Sequence, residues 1–535
     1  MRRCSFNDLY WMVAVLIGIC CCIERISSFS IQHHPLRWTD RRLSPSTVST
    51  LHHSSSSSYH SSSKYLPFQD CRTVEELVQL MYDNMNNSTP RIISTFWSSV
   101  PKRKSRFDKV QNIEQMNHQL NDILDHTLEV VNTFGYRHLA QTALGFAKIV
   151  KNVSGTDGKR LPRYGTPQRV LYDLIIGANS SNKEFIFKVL AASSINILRK
   201  FDARHLSNLI YAYGLAQVVI VEDDTTLFDV FAQAAIPNLN HFNSQDLSNM
   251  LWAYANVKEP QPQLFEQAGI AIVDGNNLNE FKPQELSNTL WAYATLNEQH
   301  TVLFKKVADH IVRLESLHNF KPQDISNIVL AFATAGESHP ILFKRLAGHI
   351  ISLDNLRSFN GQDCSNTMWA FATAGESHPQ LFKNLADEAI KRQHEFNPQG
   401  IANFLWAFAT NGQVDEHLFS SLAPSVKANL DEYTAQGLIN VAWAYAVANV
   451  DAPSVFNVDF MNGCLRKKDG FIMEDFRQLH QWQLWQDEIK SNISLPESLQ
   501  KRCYEAFVLE EPRPSMEWKM KSSPLDLLQS TCHWK

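Results

Sequence analysis

One phrase recurs along this chain at a nearly constant interval. Its clearest copies read SNTLWAYATLNEQ at Ser287–Gln299 and SNTMWAFATAGES at Ser365–Ser377. The Asn residues of successive copies are 37 to 41 residues apart. Such a period is the signature of a solenoid, in which each unit buries its apolar face against a near-copy of itself. A weaker copy at His138–Lys148 carries Gln in the Asn place, and the Asn column consists of Asn208, Asn249, Asn288, Asn327, Asn366, Asn403 and Asn440.

Each unit has the start and stop signals of two helices. A cap residue and a Pro precede the phrase, an acid often follows the cap by three residues, and AGESHP at Ala335–Pro340 then breaks the helix and starts another. We therefore predict an all-α, right-handed α-solenoid of helical hairpins about 39 residues long, similar to armadillo repeats, without interrupting strands. The predicted cap signals are Asn243, Asn360 and Asn397, with Pro283, Pro322 and Pro398 at the first helical position and Asp246 and Asp363 completing capping boxes.

Composition limits the functions that the chain can have. The 535 residues carry a net charge of -4 and have a pI near 6.6, so nucleic-acid binding has to depend on a local patch. The nine cysteines include no C-x-x-C pair, and neither a nucleotide-binding loop nor a hydrolase or metalloprotease motif occurs. His339 and His378 each precede a Pro, which is typical of turns. We expect no enzymatic activity, no cofactor and no metal.

Repeats turn single positions into columns, and several columns are candidates for function. The sequence leaves two interpretations open for the Asn column: a structural ladder to the next hairpin, or amides that read RNA bases. The Gln column that precedes it is predicted to cap helices in solvent, with base reading as the alternative. The residue after the Asn varies, which fits either base specificity or ordinary packing. The Trp column three residues after the Asn is predicted to lie in the core between layers, with stacking on RNA bases as the alternative.

Basic residues form a further candidate column near the start of the second helix of several units. A single positive charge per unit suits a phosphate backbone, but it is equally typical of a solvated face. The run PKRKSRFDK at Pro101–Lys109 is either a second phosphate contact or a basic linker. The column comprises Lys188, Lys305, Lys306, Lys344, Arg345 and Lys383.

The N-terminus has the composition of a targeting sequence. Arg2 and Arg3 precede a short apolar run at Trp11–Ile23, and a Ser-rich, acid-poor stretch follows. With Phe29 at the junction, this resembles the bipartite presequence of algae with complex plastids. We predict a signal peptide at 1–28, a transit peptide at 29–65 and a plastid location. A mitochondrial presequence, or a secreted protein with a Ser-rich linker, are the alternatives.

The repeat phrase, together with HPxLF, resembles the organellar helical-repeat proteins of the octotricopeptide and heptatricopeptide type. These are related to the leucine-rich region of FAST-kinase-like proteins and to a subunit of the RNA-editing substrate-binding complex. The resemblance implies binding of single-stranded organellar RNA, with ribonucleoprotein components as further partners, in rRNA or mRNA processing, stability or translation, and no membrane association after targeting. An armadillo-like protein scaffold without RNA contact is the alternative.

The resemblance also sets the remaining domain boundaries. A helical region with the basic linker is predicted at 66–134, and the repeat solenoid at 135–455. Residues 456–511 resemble the segment that precedes a RAP domain, and 512–535 are too short for that domain. This last stretch is therefore expected to be a disordered or truncated tail.

Overall fold

The computed structural model describes residues 66–103, 113–154, 162–177, 181–275 and 278–508. These residues form 22 α-helices joined by turns and short 3-10 helices. They divide into two compact units, of which the N-terminal unit ends at Glu280 and the C-terminal unit begins at Phe281. None of the described helices has both the length and the apolar composition needed to cross a membrane. The presequence assigned to 1–65 lies outside the described residues, as do the tail at 512–535 and most of the basic run, from Lys104.

The N-terminal unit contains ten helices among its described residues. Helices α2, α4, α7 and α9 pack on one another in chain order and form one layer, whose members we call A helices; α1, α3 and α5 pack in order on the other side. The ten helices are α1 (Val74–Asp83), α2 (Pro90–Ser99), α3 (Ile113–Val130), α4 (Tyr136–Ser154), α5 (Pro167–Ile175), α6 (Ser181–Ile195), α7 (Ala203–Ala216), α8 (Leu227–Ala235), α9 (Ser244–Val257) and α10 (Pro262–Asp274).

The C-terminal unit repeats this two-layer plan more regularly. Its A helices α11, α13, α15, α17, α19 and α21 pack in order, and so do α12, α14, α16 and α18, which we call B helices. The terminal helix packs on α21. The helices are α11 (Pro283–Thr295), α12 (Thr301–Arg313), α13 (Pro322–Ala335), α14 (Pro340–Ile351), α15 (Gly361–Thr373), α16 (Pro379–Lys391), α17 (Pro398–Thr410), α18 (Glu416–Ala428), α19 (Ala435–Ala448), α20 (Val458–Lys467), α21 (Met473–Glu488) and α22 (Glu497–Val508).

Stacked helical hairpins in each unit confirm the predicted all-α repeat architecture, with one exception. Between α7 and α8, strand β1 (Val221–Glu222) pairs antiparallel with β2 (Thr225–Thr226). Asp223 and Asp224 join the strands with φ of 47° and 63°. Asp tolerates this left-handed conformation, which a two-residue hairpin turn requires. The prediction that no strand interrupts the helices is therefore wrong at this point.

The predicted helix starts are confirmed by the cap hydrogen bonds. Oδ1 of Asn360 accepts from the backbone N of Asp363 at 2.8 Å, and the Asp363 carboxylate accepts in return from N of Asn360 at 3.1 Å. Asn243 and Asp246 make the same reciprocal pair, and Asn397 caps α17 through N of Gly400 at 2.7 Å. These bonds satisfy amides that a helix N-terminus would otherwise leave unpaired.

Serine hydroxyls, and not the Asn column, link successive A helices. Oγ of Ser207 donates to the carbonyl O of Asp246 at 2.8 Å, and Oγ of Ser365 donates to that of Gly400 at 3.0 Å. Oγ of Ser326 donates to the Asp363 carboxylate at 3.2 Å. Each of these Ser residues directly precedes an Asn of the column and is buried. Small side chains at this place allow neighbouring A helices to approach closely, and these three hydroxyls are hydrogen-bonded, whereas Oγ of the buried Ser248 has no partner among the described residues.

Candidate nucleic-acid interface

Three columns lie together on the outward side of the A helices. They are the Asn, the residue four before it and the residue three after it, which about 100° of rotation per residue places on one face. The residue five after the Asn points roughly the opposite way, toward the second layer: the hydroxyls of Tyr213, Tyr254 and Tyr445 donate to carbonyl oxygens of Phe187, Phe228 and Phe419 at 2.7–2.8 Å. The outward columns therefore face solvent.

In each unit we call this surface the amide face. Its Gln column is exposed, except that Gln436 is partly exposed, and its Asn and aromatic columns are partly exposed. In the C-terminal unit, none of the three positions carries a charge from α11 through α19. The members are Gln245, Gln284, Gln323, Gln362, Gln399 and Gln436; the seven Asn residues of the repeat phrase; and Tyr211, Trp252, Trp291, Trp369, Trp406 and Trp443, with Leu330 in the one remaining aromatic place.

The Asn amides make few bonds within the protein. Oδ1 of Asn403 accepts from Nε2 of Gln399 at 2.9 Å on the same helix. For the other six Asn residues of the column, the described part of the chain provides no side-chain hydrogen bond. Ser207, Ser326 and Ser365, each directly before an Asn of the column, bond to the next A helix instead. Amide donors and acceptors of the Asn column are thus presented to solvent, which is the arrangement that base reading requires.

The Trp residues do not lie in the core between layers, and that prediction is wrong. Trp291, Trp369 and Trp406 are partly exposed, whereas the fully buried aromatic column lies two residues further along each helix. Two residues correspond to about 200° of rotation, so the columns point in nearly opposite directions. Both columns are apolar, so the sequence pattern alone does not show which of them is buried. The buried column is Tyr213, Tyr254, Tyr293, Phe332, Phe371, Phe408 and Tyr445.

Some aromatic side chains of the amide face are held in place by neighbours. The rings of Tyr211 and Trp252, on consecutive A helices, lie 5.2 Å apart between centroids. The indole Nε1 of Trp443 donates to Oε1 of Gln481 on α21 at 2.9 Å. These contacts restrict ring orientation while leaving part of each ring exposed, so the column can stack on planar groups.

The variable residue after each Asn is buried and does not reach the amide face. Because it is buried at every repeat, it is not available to an RNA base, and its variation fits ordinary packing. The residues are Leu209, Met250, Thr289, Ile328, Thr367, Phe404 and Val441.

The structure does not bring the basic column together with the Asn column. Lys305, Lys344 and Lys383 are exposed on the B helices, whereas the amide face points away from the B layer. Nζ of Lys383 is paired with the Asp387 carboxylate at 3.0 Å. Arg345 is partly buried, and its guanidinium donates to the carbonyl O of Leu314 at 3.0 Å. Lys306 is exposed on α12, and Lys188 is partly exposed on α6.

One of the two histidines that precede a turn Pro caps the N-terminus of a helix. Nδ1 of His339 accepts from the backbone N of Leu342 at 3.1 Å, and its Nε2 lies 3.4 Å from the Asp309 carboxylate. Burial, followed by the charge of Lys344, lowers the pKa of His378. No cluster of metal-ligating side chains occurs among the residues that the structure describes.

Comparisons with known proteins give one specific match. A family model described as RNA-editing substrate-binding complex 6 protein matches residues 177–468, which is more than half of the chain. No curated protein matches. Among solved structures, the pentatricopeptide repeat protein PPR10 in complex with an 18-nt psaJ RNA element is 11% identical, with 81% of this chain and 68% of that chain covered and a TM-score of 0.30.

A second structural similarity is to a homology model of the full-length AP-3 complex. It is 10% identical, covers 82% of this chain and 87% of that chain, and has a TM-score of 0.25. At such TM-scores neither structural similarity supports a conclusion about function.

Proposed function

The chain belongs to the family of RNA-editing substrate-binding complex 6 proteins, and on that premise we propose that it binds single-stranded RNA on the amide face of its A helices. The observation that supports this most is the pairing, on one helix after another, of a solvent-facing Asn amide with a partly exposed Trp or Tyr ring. Amides hydrogen-bond to base edges, and aromatic rings stack on base faces. A single strand exposes both the edges and the faces of its bases to a protein.

The lack of charge on the amide face of the C-terminal unit determines how RNA would lie there. Because no Lys or Arg occupies its three columns from α11 through α19, this surface attracts bases and not phosphates. The strand would turn its bases toward the A helices and its phosphates toward water. Base contacts of this kind carry sequence information, whereas phosphate contacts fix position without specifying sequence.

The biological setting we propose is a plastid, where the protein acts in processing, stability or translation of rRNA or mRNA. This rests on the bipartite composition of the N-terminal sequence, and a mitochondrion is the alternative. A fluorescent fusion of residues 1–64 should enter the plastid, and Phe29→Ala should keep it outside. Delivery of the unmodified fusion to mitochondria would contradict the plastid assignment.

A protein scaffold is the second candidate, and the neutral amide face favours it. An extended peptide also presents alternating donors and acceptors, which a column of Asn amides can bind without help from charge. The two candidates share a surface and differ in occupant. Binding experiments on one set of variants therefore distinguish them.

The test removes the rings at three equivalent places, with Trp291, Trp369 and Trp406 changed together to Ala. Each lost base stack should cost about 1–3 kcal/mol, so the triple variant should bind a mixed-sequence single-stranded RNA at least about a hundredfold more weakly by fluorescence anisotropy. Helical circular dichroism should be unchanged, since these rings are partly exposed.

The matched control removes two other exposed aromatics, Phe185 and Tyr504, each 59% exposed on helices outside the A layer. This control should bind RNA like the wild type. If the wild type binds no RNA near physiological salt, or the Trp variant binds as well as the control, the proposal is wrong. A wild type that binds a peptide instead, and loses it with the Trp variant, would establish the scaffold.

A further inference from the structure

The first three A helices carry positive charges where the later ones carry none. Counting six residues from each N-cap puts Thr95 of α2 and Gln141 of α4 in the Asn place. The residue four before that place is then Arg91, Arg137 or Arg204 on α2, α4 and α7, where the A helices from α9 through α19 have Gln. The residue seven after it is Lys148 on α4, where α11 and α13 have Thr. The same count from α2 reaches Lys102, which lies in the 3-10 helix Val100–Lys102 that directly follows α2.

Lys102 and Lys148 are close enough to influence each other, and Arg91 and Arg137 both lie near His138. Burial, followed by the charge of Lys102, lowers the pKa of the Lys148 ammonium. Burial, followed by Arg91 and then Arg137, lowers the pKa of His138 on the same helix. Like charges gathered on adjacent packed helices repel each other, and an external anion relieves that repulsion. The arrangement therefore suits a ligand with several negative charges.

Few protein groups neutralise the cluster. Across the described residues, Lys102, Lys148 and Arg204 make no ion pair with a carboxylate within 4.0 Å, and all three are exposed, although the charge of Arg204 acts on the Asp246 carboxylate. Nε of Arg137 donates to the phenol of its neighbour Tyr136 at 3.1 Å, which keeps the guanidinium near an aromatic ring. The carboxylate of Asp202 interacts electrostatically with Arg137, but it also accepts from N and Nδ1 of His205, at 2.9 and 2.6 Å.

We propose that Lys102, Arg137, Lys148 and Arg204 form a phosphate-binding end of the RNA surface in the N-terminal unit. This rests on the proposed function, because it assigns the backbone phosphates of the same single strand to these cations. The N-terminal unit supplies affinity that is independent of sequence, and the uncharged amide face supplies base recognition. The exposed Lys residues on the B helices, which lie on the opposite side of the C-terminal unit from its amide face, take no part.

The experiment compares two triple variants with identical changes of charge. One carries Arg137→Glu, Lys148→Glu and Arg204→Glu; the matched control carries Lys305→Glu, Lys344→Glu and Lys383→Glu. Binding of one mixed-sequence single-stranded RNA is measured for the full chain over a series of KCl concentrations. Each lost phosphate contact reduces the log–log salt slope by roughly 0.7 for single strands, so the first variant should lose about 2 from its slope and the control none.

A third variant replaces the same cations with uncharged residues, as Arg137→Gln, Lys148→Gln and Arg204→Gln, and so separates lost phosphate contacts from the repulsion that Glu introduces. Its log–log salt slope should fall by the same amount, and its helical circular dichroism should be unchanged. Unchanged slopes in both N-terminal variants, or an equal loss in the B-helix control, would overturn the assignment. The wild type could bind RNA, and the Trp variant lose this binding, while the N-terminal variants keep the salt slope of the wild type. In that case the phosphate-binding assignment is wrong and the proposed function still holds. A wild type without RNA affinity means that the proposed function itself has failed.

Discussion

The crossing of α2 and α4 allows a sharp prediction for Gly145. A Cβ built on this residue would lie 2.6 Å from the carbonyl O of Trp97 and 2.7 Å from its carbonyl carbon. Ordinary contacts begin near 3.4 Å, so Gly145→Ala would require the two helices to separate locally by about 0.8 Å. The opposing atoms belong to the backbone of a helix and cannot move aside as a flexible side chain can.

The size of the effect follows from two opposing terms. Overpacking of a tight core contact costs about 1–3 kcal/mol, and contact with backbone belongs in the upper part of this range. Replacing a helical Gly with Ala recovers about 1 kcal/mol of helix propensity. Gly145→Ala should therefore lower the free energy of unfolding by about 1–2 kcal/mol, measured by urea denaturation followed by circular dichroism.

Gly348 on α14 is the matched control. It is exposed, and an added Cβ there meets nothing within 4 Å. Gly348→Ala should then show only the propensity gain and raise the free energy of unfolding by about 0.5–1 kcal/mol. The same chemical change should thus have opposite signs at the two sites. Stabilisation of equal size at Gly145 would refute the close packing of A helices on which the account depends.

Two further predictions concern the polar groups between A helices. Ser365→Ala should cost about 1 kcal/mol by removing the hydroxyl that bridges to Gly400, whereas Ser377→Ala, in an exposed turn, should have little effect in the same denaturation assay. Burial raises the pKa of Asp363, so the folded state holds this proton more tightly than the unfolded state, and the cost of burying the charge disappears as pH falls below the raised pKa. Asp363→Asn should therefore gain less stability than the wild type on mild acidification, and identical pH profiles would contradict this.

Much of the fold could be predicted because its signals are local. The repeat period, the Asn caps and the Pro and Gly at helix ends lie within a few residues of the structure they specify. The division at Glu280 could not be predicted, since the repeat interval continues across it unchanged. The strands at Val221–Thr226 were missed because each has only two residues, too few for an alternating pattern.

The phase of the A helix was the main limit for the candidate site. Trp291 and Tyr293 both belong to apolar stripes, and only packing against a second layer decides which of them is buried. Helix α2, which carries Arg91 and is followed by Lys102, lacks the Asn and the Trp of the phrase, so the phrase does not identify it as an A helix. The start of this helix is indicated in the sequence by the N-cap Thr89 followed by Pro90. Counting six residues from this cap gives the position that the Asn occupies in the other A helices.

Ultraviolet crosslinking of the full chain to a single-stranded RNA, with the crosslinked peptides mapped by mass spectrometry, would show which side of the A helices the RNA contacts. We predict adducts on the outward side, at Trp291, Trp369 and Trp406, since these rings would stack on bases. Adducts confined to the B-helix peptides that contain Lys305, Lys344 and Lys383 would contradict this prediction, because they would place the RNA on the opposite side of the stack.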